Sequence, residues 1–114
     1  MDDKCIFCAV ANGESPADLV LETENVAAFY DINPKAPTHI LIVPKKHIKS
    51  VNELIEEDKL IMGELILIAK KIAEDKGLVE EGYRIVINTG PHSGQVVDHI
   101  HLHLLGGKKL GPIC

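Results

Sequence analysis

Three histidines alternate with aliphatic residues in the run His99-Ile100-His101-Leu102-His103-Leu104-Leu105-Gly106-Gly107. In a β-strand, residues i, i+2 and i+4 share a face. This spacing therefore predicts three imidazoles in a row, with Ile100, Leu102 and Leu104 turned to a core behind them. Imidazole is the side chain best matched to nucleophilic, acid–base and metal-ligating work near neutral pH. A lone strand histidine is ordinarily a hydrogen-bonded or surface residue. Three in register, half of the six in the chain, point to a site.

Cys5-Ile6-Phe7-Cys8 is a second grouping with chemical capacity. Its spacing fits a redox pair or two buried thiols as well as a pair of metal ligands. A thioredoxin-like role wants a β–α–β context, which the chain does not offer. A structural Zn²⁺ needs four ligands, and His47 and His99 could supply the remaining two. That site would be closed, with no open position for water. A rival arrangement makes His99, His101 and His103 the ligands of a catalytic metal.

The elements that must carry these residues follow in order. Residues 5–12 predict a helical turn closed by Gly13, with Ile6, Phe7 and Val10 apolar. Leu19–Glu22 and Val26–Tyr30 read as a tight hairpin, and two prolines make residues 31–37 a rigid loop. Residues 38–43 are β-branched and apolar, ended by Pro44, so His39 shares a strand face with Leu41 and Val43. Ser50 and Glu53 have capping-box spacing and predict a short helix. A longer helix is expected over 58–76, stopped by Gly77. Its apolar arc, Ile61, Met62, Leu65, Ile66, Ile68, Ala69, Ile72 and Ala73, is wider than packing on one sheet requires, and Leu60 and Leu67 lie outside it. The excess suggests a second burial surface, for which a two-fold homodimer is the commonest explanation. Residues 83–88 read as a further strand and 89–95 as a loop holding His92, a surface histidine. Strands mostly in sequential order with helices between them predict an α+β fold built on an antiparallel meander.

No repeat, low-complexity tract or linker divides the 114 residues. One domain over 1–114 is expected, large enough for a core without disulfide staples. A net charge of −5 and no Lys/Arg-rich run argue against nucleic-acid binding driven by phosphate neutralisation. Met1-Asp2-Asp3 is acidic and no apolar run reaches a membrane-spanning length, so neither a secretory signal nor a span is expected. With three cysteines, an odd number, reduced thiols or metal ligands in the cytoplasm are expected rather than a disulfide framework.

The heptad from His99 to Leu105 resembles the signature of the histidine triad (HIT) superfamily. The likeness extends through Phe29-Tyr30-Asp31-Ile32-Asn33-Pro34, Pro37-Thr38-His39-Ile40-Leu41-Ile42-Val43-Pro44-Lys45-Lys46-His47, Asn88 and Gly94-Gln95. These blocks are similar to the nucleotide-binding, Hint-type branch and span nearly the whole chain. The resemblance implies a HIT-like fold, an antiparallel five-stranded sheet with one long and one or two short helices. It implies a purine nucleoside phosphoramidase cleaving the P–N bond of an AMP amide through a covalent nucleotidyl-histidine. His101 would be the nucleophile and His103 a donor to a phosphate oxygen, with His99 and His39 completing the catalytic set. Asn88 and the backbone around Gly94, Gln95 and Val96 would cradle the phosphate, and Asp31 would accept from the ribose. Ile6, Phe7, Val10 and Phe29 would form the base slot, although as residue types they fit plain core equally well.

Many bacterial relatives resemble the Cys5, Cys8, His47 and His99 zinc set. The partners implied are a purine nucleoside monophosphate or phosphoramidate and a second copy of the chain, with no organic cofactor. Alternatives are a dinucleoside polyphosphate or acyl-adenylate hydrolase or nucleotidyltransferase of the superfamily, or a nucleotide-binding regulator with incidental hydrolysis. Two departures bear on the leaving group. Val96 stands where well-studied members carry serine, and the tail from Lys108 has no tryptophan.

Overall fold

The computed structural model describes residues 5–113. Residues 1–4, with the acidic Asp2-Asp3 pair, and Cys114 lie outside the described residues. Five strands, β1 (Leu19–Glu22), β2 (Val26–Tyr30), β3 (Thr38–Pro44), β4 (Arg84–Val86) and β5 (Leu102–Gly106), form one sheet. A short helix α1 (Ile6–Ala11) precedes them and a long helix α2 (Lys59–Asp75) separates β3 from β4. The sheet is antiparallel throughout, in the order β1-β2-β3-β5-β4. The meander therefore holds through β3, and β5 then slots between β3 and β4.

The two faces of the sheet are sorted by alternation. Ile40, Ile42, Leu102 and Leu104 are fully buried and pack with Val26 and Ala28 against Leu65, Ile68, Ala69 and Ile72 of α2. Each of these valine, leucine and isoleucine side chains contributes roughly 1.5–3 kcal/mol of burial free energy. The other face carries Ala27, Phe29, Leu41 and Val43 and is covered by Phe7, Cys8, Val10 and Ala11 of α1. His39, on β3, and His103, on β5, belong to this second face, because Leu41 pairs directly with His103 and is two residues from His39. Inserting β5 beside β3 is what brings the two histidine strands together.

Three expectations need correction. The regular strand begins at Leu102, so His99 and His101 lie ahead of it. The β3–β5 ladder stops at the Ile42–Leu102 pair, because Pro44 has no N–H to offer; the Ile100 amide donates instead to the Ile48 carbonyl at 2.6 Å. β4 is three residues rather than six, its pairing with β5 ending at Val86–His103. The turn after Ser50 is a single 3₁₀ turn, Val51–Glu53. Its Ser50 hydroxyl accepts from the Asn52 amide at 3.1 Å and donates to the Glu53 carboxylate at 2.6 Å, so Glu53 does not reach the backbone amide as a capping box requires.

On α2, Leu60 and Leu67 are 80% and 66% exposed, and Ile66, placed in the buried arc by periodicity, is 44% exposed. Gly63 lies between them with open space where a side chain would be. Among the described residues no helix is long and apolar enough to cross a membrane.

Candidate functional site

Five of the six histidines form two centres, and the run from His99 to His103 feeds both. His99 is fully buried, and its Nε2 donates to the Pro44 carbonyl at 2.8 Å. A neutral imidazole with Nε2 protonated has its lone pair on Nδ1. That nitrogen lies 3.3 Å from Cys5 Sγ, 3.4 Å from Cys8 Sγ and 3.2 Å from His47 Nδ1, while Cys8 Sγ is 3.1 Å from His47 Nδ1. Four soft donors thus converge within 4.8 Å of one another. Zn–N bonds of about 2.0–2.1 Å and Zn–S bonds of about 2.3 Å make tetrahedral edges of roughly 3.3–3.8 Å. The observed spacings are close to that, and the residues could hold a metal ion. Burial holds the pKa of His99 down to about 4, which keeps the ring neutral, as a ligand must be.

The second centre opens on a cavity of about 690 Å³ whose wall includes His101, His103, Asp31, Phe7, Val10 and Phe29. The proton positions follow from the partners. His101 Nδ1 donates to the His99 carbonyl at 2.8 Å, which leaves the Nε2 lone pair unprotonated. His39 Nδ1 accepts from the Lys35 amide at 3.0 Å, so its proton sits on Nε2, 2.9 Å from His103 Nδ1 and 3.4 Å from an Asp31 oxygen. His103 then accepts on Nδ1 and carries its own proton on Nε2. Burial lowers the pKa of His39 and His101 and takes His103 to about 4, the neighbouring His101 and His39 adding to the last effect. All three rings are neutral at pH 7. The arrangement offers one unprotonated ring nitrogen to attack with and one ring N–H to donate with.

The same proton logic bears on metals. Asp31, His39 and His103 also form a geometrically possible metal group. The Lys35 amide, however, holds the lone pair of His39 on Nδ1, so its Nε2 is a donor rather than a ligand. His99, His101 and His103 do not make such a group among the described residues.

Of the expected nucleotide ligands, Ile6, Phe7, Val10, Phe29, Asp31, Val96 and His103 lie on the cavity wall. Asn88, Gly94 and Gln95 do not. The Gly94 and Gln95 amides donate within their own loop, to Pro91 and Gly90. The Gln95 side chain is a clip, accepting from Gly90 N and donating to the Lys49 and Val97 carbonyls. The expectation for this loop concerned its backbone amides around Gly94, Gln95 and Val96, and of these three residues Val96 lies on the cavity wall. Asp31 has two tasks, since one oxygen accepts from the Asn33 amide at 2.8 Å in an Asx turn while the other faces His39. His92 is exposed in the 3₁₀ turn Pro91–Ser93. Leu41, Val97 and Ile32 also line the cavity and were not singled out from sequence. Leu41 was within reach, because it alternates with His39. Ile32 is 91% exposed in the proline loop, where no periodicity marks it.

The HIT domain family matches residues 12–110. The purine nucleoside phosphoramidase of Escherichia coli (strain K12) is 48% identical over 113 residues, 99% of this chain and 95% of that one. Among solved structures, a HIT family hydrolase from Legionella pneumophila Philadelphia 1 is 49% identical with a TM-score of 0.93, covering 95% of this chain and 96% of that one. A histidine triad protein from Clostridium difficile is 44% identical with a TM-score of 0.95, covering 98% and 97%.

Proposed function

The chain belongs to the HIT domain family, and from that premise we propose that it is a purine nucleoside phosphoramidase. It hydrolyses the P–N bond of an AMP-type phosphoramidate to an amine and the nucleoside monophosphate. The observation that carries the reading is the aim of the His101 ring, whose Nδ1 is tied to the His99 carbonyl at 2.8 Å beside a mostly apolar cavity of nucleotide size. His101 Nε2 attacks the α-phosphorus, the P–N bond breaks, and the amine departs carrying a proton taken from solvent as a nucleotidyl-histidine forms. Water then hydrolyses that intermediate and regenerates neutral His101. His103 Nε2–H donates to a phosphate oxygen as charge grows there, and the Lys35–His39–His103 chain keeps that proton on the correct nitrogen. Phe7, Val10, Phe29 and Ile6 take the base, Asp31 the ribose, and the Val96 amide the phosphate.

A panel comparing a purine nucleoside phosphoramidate, an acyl-adenylate and a dinucleoside polyphosphate at equal concentration tests the assignment. The phosphoramidate is expected to be turned over with accumulation of a nucleotidyl adduct visible by intact mass. A dinucleoside polyphosphate turned over with far higher kcat/KM would transfer the chain to a different hydrolase class.

Cys5, Cys8, His47 and His99 fit one structural Zn²⁺, which when bound supplies folding free energy and has no open position for substrate. Zinc at one equivalent is expected in protein purified without chelator, and its removal should lower the Tm. Absence of stoichiometric metal by elemental analysis would return Cys5 and Cys8 to ordinary thiols. The convergence of Cys5 and Cys8 on His47 and His99 as candidate metal ligands supports placing this single-domain enzyme in the cytoplasm.

The exposed row of Leu60, Ile66 and Leu67 supports a two-fold homodimer through α2, with Gly63 allowing close approach. Light scattering at micromolar concentration is expected to return twice 12.5 kDa, and Leu67→Glu to halve it. A wild-type monomer would rule the dimer out.

A further inference from the structure

The four-ligand cluster and the nucleotide cavity share two physical links. The first is backbone: the residue whose Nδ1 belongs to the cluster, His99, supplies through its carbonyl the acceptor that holds His101 at 2.8 Å. The second is aromatic. Phe7 sits between Cys5 and Cys8 in the first turn of α1, and its ring lies edge-on to His101 at 4.9 Å, to Phe29 at 5.6 Å and to His99 at 6.1 Å between centroids. α1 has only six residues, far below the length at which a helix holds itself together in water. Its anchors are the packing of Phe7, Cys8 and Val10 on the sheet and the two cysteine sulfurs. The segment forming one wall of the cavity is therefore fastened at the cluster, and so is the acceptor that aims the nucleophile.

Resting on the phosphoramidase reading above, we propose that the Cys5/Cys8/His47/His99 cluster and the nucleotide cavity are energetically coupled, so that bound metal tightens purine nucleotide binding and bound nucleotide tightens metal retention. His99 and Phe7 are the positioning residues of this coupling; neither reacts. Linkage makes the two effects equal in equilibrium terms. A coupling of roughly tenfold is expected, within the 5–150-fold range usual between linked sites.

The probes are Zn²⁺, AMP and a chromophoric chelator. AMP affinity is measured by calorimetry on zinc-loaded and stripped protein, and zinc affinity by chelator competition with and without saturating AMP. Stripped protein is expected to bind AMP about tenfold more weakly, AMP to strengthen zinc retention by the same factor, and the ¹⁵N signals of His101 to show loss of the single Nδ1–H tautomer on stripping. Phe7→Leu, loaded with zinc, is expected to retain metal stoichiometry while the coupling falls below about twofold. If the stripped chain unfolds, the competition experiment on the loaded proteins decides: protection by AMP that is undiminished in Phe7→Leu reflects global folding alone and overturns the proposal. Equal AMP affinities in folded loaded and stripped protein overturn it and leave the phosphoramidase reading intact. A chain that binds no AMP in either form overturns both.

Discussion

His101→Ala is expected to lose on the order of 10⁴-fold or more in kcat on an adenosine phosphoramidate while binding AMP with nearly unchanged affinity. Removing a covalent nucleophile leaves only binding and phosphate stabilisation to accelerate the reaction, as in other enzymes whose catalytic groups act as a unit. Affinity survives because the base wall of Phe7, Val10 and Phe29 and the Asp31 carboxylate lie on α1, β2 and the following loop, and Phe7, which loses its edge contact with His101, keeps those with Phe29 and His99. Single-turnover kinetics and calorimetry with AMP separate the two quantities. A variant retaining turnover within a factor of ten would move the nucleophile elsewhere. A variant that lost AMP binding as well would show that the ring is part of the wall rather than the reagent.

The elements were legible where local rules act alone. The β1–β2 hairpin, the Pro-bounded β3 and α2 were found within a residue of their ends, since alternation, proline and the terminal glycine set those limits without help from the rest of the chain. The place of β5 was not, because nothing local says that a strand skips over its predecessor to pair with β3. The same gap explains the triad. Period-2 alternation predicted three equivalent imidazoles, but Pro44 cannot continue the ladder, and the chain peels away before Leu102 so that His99 turns to the cysteines and His103 to His39. Gln95 shows a related limit: a polar side chain in a Gly-rich loop looks the same in sequence whether it faces a ligand or ties the loop to Lys49 and Val97. Proton positions are a tertiary property altogether. The Lys35 amide that fixes the His39 tautomer comes from a loop the sequence identified only as rigid.

That amide gives the second large effect its sign. His103 donates to phosphate only while its Nδ1 accepts from His39, and a protonated His103 would set one N–H against another. His103→Ala is therefore expected to lower kcat by roughly 10²–10³-fold, the usual cost of deleting one well-placed donor to a developing oxyanion, and to do so with less effect on KM. Acid has the same target. Burial first, then the nearby His101 and His39, put the pKa of His103 at about 4 against an ordinary 6.5, with Asp31 opposing. The neutral ring is the form the fold prefers, so the stability it contributes is fully present above pH 6.5 and is lost as pH falls from there toward 4. Activity should follow that folded-state pKa, with the acid limb of kcat/KM well below 6.5. His101 must also be unprotonated to attack, and burial lowers its pKa as well, so no acid inflection is expected at 6.5 at constant ionic strength. An acid limb centred at 6.5 would mean that burial does not hold the His101 and His103 rings neutral, and the assignment of one as unprotonated nucleophile and the other as neutral donor would fall.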